Sequence, residues 1–245
     1  MNPPERQTIL ITGASRGIGA EVAVRLADRD RHIVVNFREK ARRANDVADA
    51  IRTAGGQAST VRADLCDGLA VEAMLGDISQ RHGHLDVLVL NASGGLERHA
   101  DPGYAMRLNR DAQVELTRRA LAVMRPGGLI VFITSHPAHF YGRREVPVEY
   151  LPVAVSKRAG EDALRGMQDT FRAKGVRFVV VSGDLVDGTF VMRLLERSNP
   201  DAVAMRRAAG PLPTVAGFAA AIVDAIESPG QDGQTIYVGG PDYLS

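Results

Sequence analysis

Between Thr8 and Arg29 the chain passes from an apolar, β-prone run, Thr8-Ile9-Leu10-Ile11-Thr12, through Gly13-Ala14-Ser15-Arg16-Gly17-Ile18-Gly19, into a helical stretch from Gly19 to Arg29. The glycines of this strand–turn–helix opening permit a tight turn and a close approach of backbone to a ligand. The unpaired N–H groups at the start of the helix face that ligand, which favours a phosphate group. Glycines alone would be weak support for such a site; the flanking strand and helix are the context it needs. Gly13, Ser15, Arg16, Gly17, Ile18 and Gly19 are therefore the first candidate binding residues.

The rest of the chain repeats the alternation. Strands are expected at His32–Asn36, Ala58–Arg62, Leu85–Leu90, Leu129–Ile133, Val176–Val181 and Thr235–Val238, with a helix at Ala41–Ala54 stopped by Gly55-Gly56. Several of these strands are near-continuous apolar runs, which suit a parallel sheet covered on both faces. The expected architecture is α/β, a doubly wound parallel sheet, with residues 1–245 forming a single domain. The stretch from His136 to Pro152 is a candidate active-site loop. Residues 187–213 read as helical but interrupted, the pattern of a substrate lid rather than a sheet strand.

Composition removes several function classes. The net charge of +1 gives no global field to recruit nucleic acid or a membrane surface. Cys66, the single cysteine, cannot form an internal disulfide, which fits a reducing compartment and a cytoplasmic location. Met1 to Thr8 has no apolar stretch of signal-peptide length, and no run approaches a membrane span. His82-Gly83-His84 lacks a supporting cysteine or carboxylate cluster, so no metal site is expected.

The second strand ends Val35-Asn36-Phe37-Arg38. An unphosphorylated adenosine ribose would call for an acidic group there. Arg38, with Arg16 in the glycine turn, instead suits a 2′-phosphate, because guanidinium matches phosphate geometry. Phe37 and Arg38 thus join the candidate binding set, and NADP(H) is the expected cofactor.

The glycine spacing, Gly-x-x-x-Gly-x-Gly with Thr12 before it, closely resembles the short-chain dehydrogenase/reductase superfamily, and nearly the whole chain falls into register with that plan. The resemblance implies a Rossmann fold. It implies adenine contact at Asp64-Leu65 and cofactor contact at Asn91-Ala92-Ser93, Lys157 and Gly183. It also implies an active site of Asn109, Ser135 at the end of the fifth strand, and Lys157 of the pair Ser156-Lys157. A homodimer or homotetramer built on the helices bearing Asn109 and Lys157 is implied as well.

One departure from the family pattern matters. The usual tyrosine stands four residues before the lysine, about 6 Å along the helix axis; here that position is Val153. Tyr150 lies seven residues before Lys157, which returns to the same helical face with a drift of about 20°. Pro152 fits a first helical turn and places Tyr150 at or just outside the N-cap. This Tyr-x6-Lys spacing, with Asn91-Ala92-Ser93-Gly94-Gly95, Val155-Ser156-Lys157 and Val181-Ser182-Gly183, resembles type III enoyl-[acyl-carrier-protein] reductases. The expectation is hydride transfer to an unsaturated or carbonyl small molecule, foremost a 2-enoyl thioester carried on acyl carrier protein or coenzyme A. A 3-oxoacyl-thioester reductase is the alternative, and a non-catalytic NADP(H) sensor the second. Tyr141 rivals Tyr150, and His136 and His139 are further loop candidates. Arg143-Arg144 could meet an anionic carrier, whereas Arg42-Arg43 and Arg206-Arg207 read as dispersed surface charge.

Overall fold

Alternating side chains along buried strands build both faces of the sheet. In the computed structural model, which describes residues 6–96, 101, 103–228 and 230–244, the strands are β1 (Gln7–Ile11), β2 (Arg31–Phe37), β3 (Gln57–Arg62), β4 (Leu85–Leu90), β5 (Met124–Ser135), β6 (Arg177–Gly183) and β7 (Thr235–Val238). They pair in parallel in the order β3-β2-β1-β4-β5-β6-β7. Ile9, Ile11, Val131, Ile133, Val179 and Val181 point to one core. Leu10, Ile130, Phe132, Phe178 and Val180 point to the other. A period of two with both faces covered turns alternation into continuous apolar sequence.

The first core packs under α1 (Gly17–Arg25), α2 (Ala41–Thr53) and α11 (Val215–Glu227). On the opposite face lie α3 (Gly68–His82), α4 (Tyr104–Met106), α5 (Gln113–Ala120), α6 (His136–His139), α7 (Leu151–Arg165) and α8 (Gln168–Ala173). A π-helical stretch, Arg107–Ala112, joins α4 to α5, and a 3-10 turn, Val148–Tyr150, leads into α7.

Two boundaries differ from the sequence reading. Helix α1 begins at Gly17 and ends at Arg25, because the Asp28 carboxylate takes the Asp30 N–H at 3.0 Å and makes Asp28–Arg31 a turn. Strand β5 starts at Met124, five residues before Leu129. Its register against β4 slips between Leu85 and Val87, where Pro126 has no N–H to give the ladder.

The chain leaves β1 outward to β3 and returns to β4 on the other side of β1. The connections leaving the carboxyl ends of β1 and β4 therefore run in opposite directions, and the crevice between them is the natural ligand position in such a sheet. Over it lies the segment 187–213, made of α9 (Phe190–Ser198) and α10 (Pro200–Ala208), with Asn199 capping α10. Met192, Leu195 and Val203 form a small core of its own. At its base Asp187 bridges to Thr214, and the Asp187 N–H donates to the Pro213 carbonyl at 2.9 Å. The chain ends in a 3-10 turn, Pro241–Tyr243.

Candidate active site

A cavity of about 1270 Å³ opens at the carboxyl ends of the strands, between the glycine turn, β4, β5, α7 and the segment 187–213. Gly13 and Gly17 have φ of +62° and +60°, a region that L side chains avoid. A Cβ on Gly13 would stand 3.0 Å from the Ala92 Cα, so the turn also needs glycine to lie against the segment after β4. The Asn36 side chain, buried within β2, accepts the Gly13 N–H at 3.2 Å and donates to the Ala63 carbonyl at 3.2 Å. Thr12 Oγ1 accepts N–H groups from Asn91 and Ala92 at 2.9 and 3.0 Å and faces the Val89 carbonyl at 3.1 Å. These bonds fix the crevice floor without occupying it.

Of the cofactor residues expected from sequence, all but Gly19 line the cavity. Gly19 sits behind it, where a Cβ would meet the Asn91 side chain at 2.5 Å. Helix α1 has Arg16 at its N-cap in extended backbone with no side-chain cap, leaving its first N–H groups to the cavity. Arg16, Arg38, Lys40 and Arg43 converge at one end. Arg38 pairs with Glu39 at 3.0 Å and bonds the Tyr104 hydroxyl. An uncapped helix start beside three guanidinium groups fits a dinucleotide carrying an additional phosphate. Arg43, which reads as surface charge in the sequence, belongs to this end.

At the other end Ser135, Tyr150, Val153 and Lys157 line the wall. Tyr150 is the last residue of the 3-10 turn and the N-cap of α7, with Pro152 in the first turn as the sequence predicts. Its hydroxyl meets Ser135 Oγ at 2.9 Å. Burial pushes the Tyr150 phenol up, and the Ser135 hydrogen bond only partly opposes that. Lys157, 9% exposed as a residue, donates from its ammonium to the Ile133 carbonyl at 3.2 Å, and burial brings its pKa down to about 8. Val153, one turn before Lys157, packs with Ala138, Tyr150 and Ala154.

Asn109 does not line the cavity. It is 1% exposed in the π-helical stretch, where its Nδ2 donates to the Gly94 carbonyl at 2.8 Å and to Ser156 Oγ at 2.9 Å. Its Oδ1 accepts the Gly94 N–H at 3.2 Å. Asn109 thus ties the segment after β4 to α7, one residue from Lys157.

The loop candidates separate. Tyr141 is exposed and lies outside the cavity lining. His139 faces buried Glu161 at 2.9 Å and the Tyr237 hydroxyl at 3.1 Å. His136 is fully buried; its Nε2 donates to the Gly239 carbonyl at 2.9 Å, so in the neutral ring Nδ1 accepts from Ser182 Oγ at 2.8 Å. Burial lowers its pKa below the usual histidine value. Arg144 donates to the Asp242 carbonyl at 3.3 Å, and neither it nor Arg143 lines the cavity.

Arg206 corrects the sequence reading most. It is not solvated surface charge: with its side chain 15% exposed, it contacts Asp184 at 2.8 Å and Asp242 at 2.6 Å. Asp184, Arg206, Asp242 and Tyr243 all line the cavity, and sequence reasoning missed all four as site residues. The available signal was Gly239-Gly240-Pro241 directly after the last strand. Among the described residues, no group of three or more His, Cys, Asp or Glu could hold a metal ion, and no helix is long and apolar enough to cross a membrane.

Comparison with known proteins follows the same lines. The family model described as short chain dehydrogenase matches residues 7–199. The 1-cyclohexenylcarbonyl-CoA reductase of Streptomyces collinus is 35% identical over 190 residues, 74% of this chain and 65% of that protein. The hydroxynaphthalene reductase arp2 of Aspergillus fumigatus is 32% identical over 181 residues, 71% of this chain and 64% of that protein. The match therefore spans just under two thirds of these relatives' length, 65% and 64%. Among solved structures, the angucycline C-6 ketoreductase LanV with bound NADP superposes with a TM-score of 0.82 at 25% identity, covering 99% of this chain and 98% of that one. A 7α-hydroxysteroid dehydrogenase complexed with NADH and 7-oxo glycochenodeoxycholic acid gives 0.83 at 25% identity, covering 97% and 95%.

Proposed function

The chain belongs to the short-chain dehydrogenase/reductase superfamily of NAD(P)H-dependent oxidoreductases, and from that premise we propose that it uses NADPH to reduce the double bond of a 2-enoyl thioester. The observation that carries this reading is the position of Tyr150. It caps α7 seven residues before Lys157, while Val153 fills the one-turn position with an aliphatic side chain. Burial keeps the phenol protonated, which suits it to donate a hydrogen bond to an oxygen as enolate charge develops. The Streptomyces relative is named for reduction of an enoyl-type coenzyme A thioester.

The NADPH reading rests on Arg16, Arg38 and Arg43 at the adenosine end and on the NADP-bound neighbour. When bound, the cofactor supplies hydride to the substrate β-carbon. Ser135 and Tyr150 hold the thioester oxygen between two hydroxyls 2.9 Å apart. The second hydrogen reaches the α-carbon as a proton from solvent. Lys157 holds the nicotinamide ribose, and Asn109 keeps α7 and the Gly94 segment in register behind it. The helical segment 187–213 acts as the substrate lid. A homodimer or homotetramer built on the helices bearing Asn109 and Lys157, and delivery on acyl carrier protein or coenzyme A, go with this reading. Sedimentation and carrier-bound substrates test them.

A second reading, reduction of a 3-oxoacyl thioester or another ketone, is favoured by the Ser135–Tyr150 pair, since two hydroxyls converging on one oxygen also suit an alkoxide. NADPH absorbance with 2-butenoyl-CoA and 3-oxobutanoyl-CoA separates the two. Turnover of the oxo compound alone refutes the enoyl reading. NADPH binding with no turnover of any substrate points instead to a sensor. Tyr150→Phe should lower kcat by about 10²–10³ with the NADPH Kd unchanged.

A further inference from the structure

Beyond β7 the chain reverses through Gly239 and Gly240, with φ of +73° and +57°. A Cβ on Gly240 would stand 2.8 Å from the His136 ring and 3.1 Å from the Tyr243 ring. Only a glycine lets the final turn lie this close over the residue that follows Ser135. There the Tyr243 ring centroid is 5.1 Å from His136 and 5.8 Å from Phe140, and the Arg206 guanidinium stands 5.3 Å above it. Arg206 is itself held by Asp184 at the end of β6 and by Asp242 beside Tyr243. The aromatic ring of Tyr243 is thereby fixed in the wall of the cavity that contains Ser135 and Tyr150. Leu96, Val146, Pro147, Leu185 and Val191 supply apolar lining to the same cavity.

We propose that Tyr243 is a specificity-determining residue that selects flat ring substrates over open chains, with Arg206 as its positioning residue. A fixed aromatic ring in a cavity wall gains most from a rigid ring packed against it, because dispersion contact is made without freezing rotatable bonds. A flexible acyl chain must lose that freedom to make the same contact. The proposal deepens the reductase reading and rests on it for the site, though not on which bond is reduced.

The test compares ring and chain members in two series, 1-cyclohexenylcarbonyl-CoA against 2-butenoyl-CoA and 2-tetralone against 2-octanone. Calorimetric binding of 2-naphthol and 1-octanol to the NADP+ complex is measured in parallel. The wild type should favour the ring in whichever series it turns over. Tyr243→Ala should lower the ring-to-chain ratio of kcat/KM tenfold or more, and weaken 2-naphthol tenfold relative to 1-octanol. Tyr243→Phe should keep both preferences, since the ring and not the hydroxyl is the reader. Arg206→Met should lower them in the same direction, with thermal melting confirming that each variant is folded. A Tyr243→Ala ratio equal to wild type, or ring and chain losing equally, overturns the proposal. Turnover confined to the ketone series with the ring preference intact refutes only the enoyl reading. With no turnover at all, the naphthol-to-octanol binding ratio still decides.

Discussion

Replacing Lys157 with Met should make the cofactor-free protein more stable at neutral pH while abolishing activity. Burial brings the ammonium from 10.5 down to about 8. At about 1.4 kcal/mol per pKa unit, keeping that charge at pH 7 costs the folded chain about 3.5 kcal/mol relative to a neutral side chain. The variant leaves the Ile133 carbonyl, 3.2 Å from the ammonium, without this donor. That loss offsets about 1 kcal/mol, for a net gain of about 2.5 kcal/mol. The pH dependence carries the signature. Between about 8 and 10.5 the unfolded chain holds the proton that the folded chain has released, so wild-type stability rises with pH across that window. The variant lacks this rise. Its advantage is full below pH 8 and closes as pH approaches 10.5. Urea unfolding at fixed protein concentration, with a slope of about 3 kcal/mol per molar, should show a midpoint about 0.8 M higher at pH 7. A variant no more stable than wild type at pH 7, or an advantage that does not change with pH, refutes the reasoning.

Arg38→Glu should weaken NADPH about 10–100-fold and narrow or reverse its advantage over NADH, read by fluorescence titration with both nucleotides. Gly160→Ala would bring a Cβ to 2.2 Å from the Asn109 carbonyl. It should destabilise by about 3 kcal/mol on thermal melting, because α7 and the π-helical stretch must separate. For His136, whose folded pKa lies below 6.5 through burial, stability is full above 6.5 and is lost as pH falls below it. Chemical denaturation of His136→Asn from pH 7.5 to 5 should show a shallower acid-side decline than wild type.

The centre of the sheet was legible because its strands are buried on both faces, so Leu85–Leu90 stands out by composition, whereas the part-exposed edge strand Thr235–Val238 was read from its β-prone residues and the Gly239-Gly240 that ends it. The glycine turn was legible because its chemistry is local, and Tyr150 because seven residues of helix can be counted. Asn109 was found by its place in the family plan, but its bonds to Gly94 and Ser156 belong to tertiary packing. Arg206 defeated the reading for a physical reason: a charged pair on an amphipathic helix has the same pattern whether it faces water or a distant carboxylate, while Arg43 stays exposed and was missed only as a residue of the cavity rim. Asp184 and Asp242 stand 58 residues apart in sequence, and only the fold brings both to Arg206.

The contact between Asp187 and Thr214 has a consequence for protein engineering. It closes the intervening excursion at its stem, and Met192, Leu195 and Val203 give that excursion an interior independent of the sheet. Such an insert behaves as a cassette. It can be exchanged, lengthened or redesigned between two fixed anchor points without disturbing the scaffold beneath.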